Sequence, residues 1–280
     1  MNVKHYVSHL SLLFIFITLL VVFSHRLSLE TGILFAVGFF AQLIDGAIGL
    51  GFGMVSTTAL LVFDMNPALL SNSVHTAEIF SSAASGISHY RNRNLDKKIF
   101  LSLLLPGVIG AFVGSIAMIF INNFNVNIFK IIIAVYTLIL GGRLIYLFFR
   151  QKCNRRQNST KTKISNIKLL ALFGGFFDSF GGGWGPIVTS TLIQNGRKPR
   201  YVIGSVNSAE FFVALTSSAT LFVALGVKNW SVIIPLVCGG VFAAPIAAKT
   251  TKRVSSDNIL LPIGLLVIMW SFYVIVRTIL

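Results

Sequence analysis

Long apolar runs, separated by short polar breaks that are mostly basic, recur from one end of the chain to the other. A membrane-crossing helix needs about 20 consecutive, mainly apolar residues. The runs at residues 6–24, 68–90, 99–121, 128–149, 201–227, 230–248 and 258–279 suit that requirement. Two stretches do not fit so simply. Residues 32–63 are too many for one ordinary span and too few for two, and Asp45 with several glycines interrupts the middle. Residues 170–194 share the design and are fewer. Each reads either as a helix broken near mid-membrane or as a re-entrant hairpin. Broken backbone at that depth is tolerated only where protein or a water-filled cavity satisfies the freed groups. The pattern predicts an all-α polytopic membrane protein with about eight or nine membrane segments and no soluble domain.

The interrupted stretch occurs twice. The first copy runs from Asp45 through Gly49, Gly51 and Gly53 to Glu78, and the second from Asp178 through Gly181, Gly182, Gly183 and Gly185 to Glu210. Gly51 and Gly183, Pro67 and Pro199, and Glu78 and Glu210 are all offset by 132 positions, while the aspartates are offset by 133. Glycines, a proline, a shared Ser-Val-x-x-Ala-Glu and an upstream aspartate rarely coincide by chance. The chain reads as an internal duplication. Residues 32–149 form the first repeat and 168–280 the second. Residues 150–167 form a basic cytoplasmic linker, and 1–31 hold an extra N-terminal helix. That helix could be a signal peptide, but His25 and Arg26 follow its apolar run without a small-residue cleavage site, so it is expected to be retained.

Composition sharpens this picture. Hydrophobic residues make up 55% of 280, charged residues 11%, and the mean hydropathy is +0.82. A soluble domain would carry about 25% charge. Four of the eight acidic residues are Asp45, Glu78, Asp178 and Glu210, all within or beside apolar sequence. Charge near the bilayer centre costs at least about 2.5–3.5 kcal/mol on insertion scales, so such residues mark function. The net charge of +15 does not indicate nucleic acid, because the basic residues lie mostly in short loops as the positive-inside rule expects. Cys153 and Cys238 form no disulfide or metal pattern.

Loop charge also gives orientation. Basic residues at 91–98, 150–168, 197–200 and 249–253 mark inside loops, whereas the uncharged loop at 122–127 and the lone Lys228 mark outside ones. The loop after the Glu78 helix is thus inside and the loop after the Glu210 helix outside. Matching elements point opposite ways, the plan of inverted-topology repeats in secondary transporters. On this topology residues 170–194 start and end inside, which favours the re-entrant reading.

Glycine permits positive φ and close approach. The residues after each glycine cluster begin a half-helix whose first amides are unpaired and whose dipole end is positive. Inside a membrane such an end is an anion site. Candidate substrate-binding residues are therefore Gly49, Gly51, Gly53, Gly181, Gly182, Gly183 and Gly185, with the nearby hydroxyls of Ser56 and Thr189. Asn72, Thr76, Asn207 and Ser208 offer further polar groups beside the glutamates, and Trp184 either walls the cavity or packs in the interior. The competing explanation for the glycines is close helix packing. Asp45, Glu78, Asp178, Glu210 and His75 are candidate proton carriers. The glutamates could equally be structural hydrogen-bond donors. His75 shares a helix face with Glu78 but is matched by Asn207 in the second copy, so any proton role would be one-sided. Arg143 either snorkels to the inner face, the favoured reading, or attracts an anion.

These residues resemble the TauE/SafE, or sulfite exporter, family. The features that carry the resemblance are Phe39-Phe-Ala-Gln-Leu-Ile-Asp45 leading into Gly49-Leu-Gly-Phe-Gly53, and its counterpart at residues 173–186. Asn94-Leu-Asp96 after a basic loop also fits. The resemblance covers residue 32 to the C-terminus. It implies a secondary transporter of the cytoplasmic (inner) membrane, moving sulfite, sulfonates or related organosulfur acids, often outward and with proton coupling. One departure is Gly51-Phe-Gly-Met54, where the family commonly has a glycine run followed by proline.

The expected partners are a small anionic substrate, protons and the lipid bilayer, without nucleic acid; a homodimer is left open. No cofactor or metal is expected. The alternative is a carrier or channel linked to Na⁺ or another cation, with the carboxylates as ion ligands. An intramembrane enzyme is disfavoured, since neither His-Glu-x-x-His nor Gly-x-Ser-x-Gly occurs.

Overall fold

A computed structural model describes residues 29–63, 65–122, 125–154, 166–226, 229–251 and 257–280. The expected first helix at residues 6–24 and most of the linker lie outside the described residues. The described chain is helical: α1 Leu29–Ile48, α2 Phe52–Val62, α3 Pro67–Arg91, α4 Lys97–Asn122 and α5 Val126–Asn154 in the first half. The second half holds α6 Ile167–Asp178, a π-helical turn Gly185–Thr189 continuing into α7 Ser190–Gln194, α8 Pro199–Leu225, α9 Trp230–Thr250 and α10 Asp257–Ile279.

Local chemistry sets several of these boundaries. Asn66 Oδ1 accepts from the amides of Ala68 and Leu69, and Pro67 opens α3 where no amide donor is needed. Asp96 caps α4 through the amides of Lys98 and Ile99, and Asn125 caps α5 through Asn127 and Ile128. Gly226, at φ +70°, ends α8.

Among the described residues six helices are long and apolar enough to cross a bilayer: α1, α4, residues 126–150 of α5, α8, α9 and residues 260–279 of α10. Their outer faces expose large apolar side chains such as Leu105, Phe120, Ile139, Phe222, Met269 and Phe272. An apolar surface of that extent suits lipid rather than water. The expected span at residues 68–90 forms a helix of 25 residues, but α3 is too polar to qualify by composition. Its Ser71, Asn72, His75, Glu78, Ser81, Ser82 and Ser85 are all buried, so its polarity faces protein rather than lipid.

The halves interlock. α1 lies along α9, α6 along α4, α3 against both α8 and α9, α4 against α8, and α5 against α10. Exchanging the first five helices for the last five in order returns the same set of pairs. Glycine makes the closest contacts. A Cβ on Gly38 would meet the Leu236 carbonyl oxygen at 2.4 Å, and one on Gly110 the Leu172 carbonyl oxygen at 2.0 Å.

The two central helices cross antiparallel. Thr76, near the start of α3, bonds Ser218, near the end of α8, while Ser85 bonds Asn207 at the other ends. α5 and α10 are also antiparallel: Thr137 bonds Ser271, and Gly141 lies against Gly264 and Val267.

Candidate functional site

Each half contains a glycine turn made the same way. α1 ends at Ile48, and Asp45 in its last turn sends Oδ1 forward to accept from the Gly51 amide at 3.0 Å. α6 ends at Asp178, whose Oδ1 accepts from the Trp184 amide at 2.9 Å. Both aspartates reach six residues ahead, to the amide just before the next helical segment. A carboxylate there satisfies an orphan donor and complements the positive helix end. Gly49, Gly181 and Gly182 adopt φ of +72°, +128° and +91°, a region that L side chains rarely enter.

This pairing clarifies the register. The sequence places Gly51 opposite Gly183, with the aspartates one residue off. The capped amides, Gly51 and Trp184, carry the aspartates' own offset of 133 positions. The slip lies later, where α2 has 11 residues and the second copy has two five-residue turns.

The two turns then press together. A Cβ on Gly182 would lie 2.0 Å from the Met54 nitrogen, and one on Gly53 would lie 2.6 Å from Gly182 Cα. Gly185 meets the Gly49 carbonyl oxygen in the same manner, and Thr189 and Thr57 close over Gly49 and Gly181. Gly183 faces the Tyr136 hydroxyl. Close backbone approach and positive φ thus account for these glycines locally. The Gly51 and Trp184 amides, open to an external anion on the sequence reading, are held by the chain's own carboxylates.

Around this contact the four acidic residues pair across the halves. Asp45 and Glu210 face each other from the two halves. On the other side His75 Nδ1 lies 3.0 Å from Glu78 Oε2 and 3.9 Å from Asp178 Oδ2. All five side chains are at most 3% exposed. Buried polar atoms are normally hydrogen-bonded. Here Glu78 Oε1, Asp178 Oδ2, His75 Nε2, Asn207 Oδ1 and the hydroxyls of Ser56, Thr57 and Thr189 have no partner. Glu210 Oε2 also has none, so eight of the ten such atoms among the described residues fall on the duplicated motif, the other two being on Gln42 and Asn122. A group of this kind is equipped to hold protons, a polar solute or an ion.

Several predicted residues sit elsewhere. Asn72 donates to the Gly226 carbonyl and Thr76 bonds Ser218, tying α3 to α8, while Ser208 bonds the Gly204 carbonyl within α8 and packs against Gly86 of α3. Trp184 is fully buried against Gly107 and Gly174, with Nε1 donating to the Val206 carbonyl at 3.2 Å, so it packs the interior. Arg143 departs from expectation. Instead of snorkelling, it donates to the Pro186 carbonyl at 2.9 Å and to the hydroxyls of Ser190 and Thr191. The π-helical turn supplies these acceptors within reach, so the guanidinium need not travel to the headgroups. Sequence reasoning also passed over Ser85, which bonds Asn207, and Ser179, which accepts from Ser115 and donates to the Ala111 carbonyl. Isolated serines in apolar helices carried no signal; only the packing reveals their partners.

Comparison with known proteins agrees with this architecture. The chain is 37% identical over 223 residues to "Probable membrane transporter protein YtnM" of Bacillus subtilis (strain 168), covering 78% of this chain and 73% of that protein. It is 26% identical over 224 residues to a "Probable membrane transporter protein" of Haemophilus influenzae, covering 78% of this chain and 83% of that one. No solved structure matches it significantly. The model of the family described as "Sulfite exporter TauE/SafE" matches residues 34–274. With its apolar outer surface and buried carboxylates, the chain is a multi-pass membrane transporter of the TauE/SafE sulfite exporter family.

Proposed function

We propose that this protein is a proton-coupled secondary transporter of the cytoplasmic membrane that exports small anions such as sulfite, sulfonates or related organosulfur acids by alternating access. The observation that carries the reading is the crossed pairing of carboxyls, Asp45 with Glu210 and Asp178 with Glu78 through His75. Each pair takes one member from either half, so relative motion of the halves alters both pairs.

The antiparallel crossing of α3 with α8 and of α5 with α10 supports inverted-topology repeats. The chain path supports re-entrant hairpins from opposite faces. α1 ends with Gly46 beside His89, near the end of α3, yet α2 finishes five residues before the start of α3. α6 and α7 repeat that path in the second half, and the hairpin tips meet at Gly53 and Gly182.

In this reading the aspartates are internal stand-ins for the substrate. Asp45 as an anion occupies the Gly51 amide; a proton passed from Glu210 weakens that hold and opens the amide to an oxyanion. Asp45 faces Glu210, Glu78 and Asp178, so its charge is set within the group. Loading protons with the anion also removes the repulsion that four ionised carboxylates would exert. The test is flux of radiolabelled sulfite and of a simple sulfonate in liposomes containing the purified protein. Saturable flux above that of protein-free vesicles is expected. No flux of any small oxyanion tested, from folded protein, would reject the reading.

A further inference from the structure

We propose that His75, Glu78 and Asp178 form a binding site for one divalent first-row transition-metal ion, closed only when the two halves of the chain come together. His75 and Glu78 are three residues apart on one face of α3, and Asp178 arrives from the end of α6. One ligand atom from each lies within 4.8 Å of the others. The nearest spacings are 3.0 Å and 3.9 Å from His75 Nδ1 to the two carboxylates. Donors about 2.0–2.2 Å from a single ion stand roughly 3.0–3.5 Å apart in tetrahedral or octahedral geometry, so small side-chain shifts complete the cage.

Unpaired atoms give the second reason. Asp178 uses Oδ1 on the Trp184 amide and leaves Oδ2 without a partner, aimed at the imidazole. Glu78 leaves Oε1 without one, in the gap that Gly53 keeps open by lacking a Cβ. Both side chains are 1% exposed. Two carboxylates and an imidazole balance a double positive charge, and imidazole in the donor set favours a first-row metal over Na⁺ or Mg²⁺. The second half lacks the equivalent. Asn207 stands where His75 does and gives its Nδ2 to Ser85. Among the described residues only one such site is therefore built.

The sequence showed no cysteine metal pattern and left the carboxylates as ion ligands only in the alternative reading; packing brings Asp178 from the other half to His75 and Glu78. The proposal does not depend on the transported anion, and its test requires no transport. The full chain, purified in detergent and treated with a chelator, is titrated with Co²⁺ and Zn²⁺ by calorimetry, with the Co²⁺ absorption bands as a readout of the ligand set. We expect one saturable site. His75→Asn, which copies the second half, and Asp178→Asn each weaken it by about tenfold or more. Glu30→Gln, which neutralises an exposed carboxylate at the start of α1, leaves it unchanged. Absence of saturable binding to monodisperse wild-type protein would overturn the proposal. So would binding that Glu30→Gln weakens as much as His75→Asn does.

Discussion

Asp45 and Asp178 do two things with two oxygens. One oxygen holds the amide that opens the next helical segment, and the carboxyl as a whole faces an acid or imidazole from the other half. The two tasks separate by mutation. Asp178→Ala removes the acceptor from the Trp184 amide and should cost about 1 kcal/mol, as loss of a helix cap does, read as a lower thermal unfolding midpoint in detergent. Asp178→Asn retains an acceptor oxygen and should recover most of that stability. Asp45→Asn should likewise fold, yet its transport should lose the pH dependence of the wild type, because the amide cannot exchange a proton with Glu210. A pH profile matching the wild type would deny Asp45 its role. Much of this was legible in the residues themselves, since a carboxylate in apolar sequence calls for an explanation. What stayed hidden was its destination. A helical periodicity shows which face a side chain shares, but the partners of Asp45 and Asp178 lie across the molecule, and the six-residue reach to Gly51 and Trp184 exists only once the turn is folded.

At the level of elements, the glycine turns were visible as composition, and their geometry resolves which explanation applies. Close packing and functional placement are both present. Gly182 combines a φ of +91° with backbone 2.0 Å from where a Cβ would stand, so Gly182→Ala should fail to pack and abolish transport or folding, seen as loss of monodisperse protein. Gly142 has open space around it inside α5, and Gly142→Ala should leave the protein unharmed or stabilise it by about 0.5–1 kcal/mol. Equal damage from both would mean that the contact between the turns is not as close as described. Arg143 shows why apolar patterning misled at this scale. A basic residue in an apolar run was assigned to the membrane surface, whereas the π-helical turn offers it a carbonyl and two hydroxyls in place. α3 was expected to span from its apolar run, and the covering of its polar face by α8 and α9 explains how so polar a helix can lie inside the protein.

For the molecule as a whole, the duplication and the alternating loop charges were readable because they are one-dimensional features. The exchange of partners between halves was not, because it is a property of packing. If matching helices point opposite ways across the bilayer, single cysteines placed at Asn125 and Lys198 in a cysteine-free background should react from opposite sides with an impermeant reagent. Asn125 should label from outside and Lys198 only after permeabilisation; labelling from one side would make the halves parallel. The most direct test of the account is transport under an imposed proton gradient. Liposomes holding the purified protein are loaded with radiolabelled sulfite, the outside is made acidic or alkaline relative to the inside, and efflux is followed. The account predicts that the gradient drives net sulfite movement, that a proton ionophore abolishes the drive, and that Asp45→Asn with Glu210→Gln is insensitive to it. Sulfite efflux by the wild type at one rate whatever the gradient would contradict it.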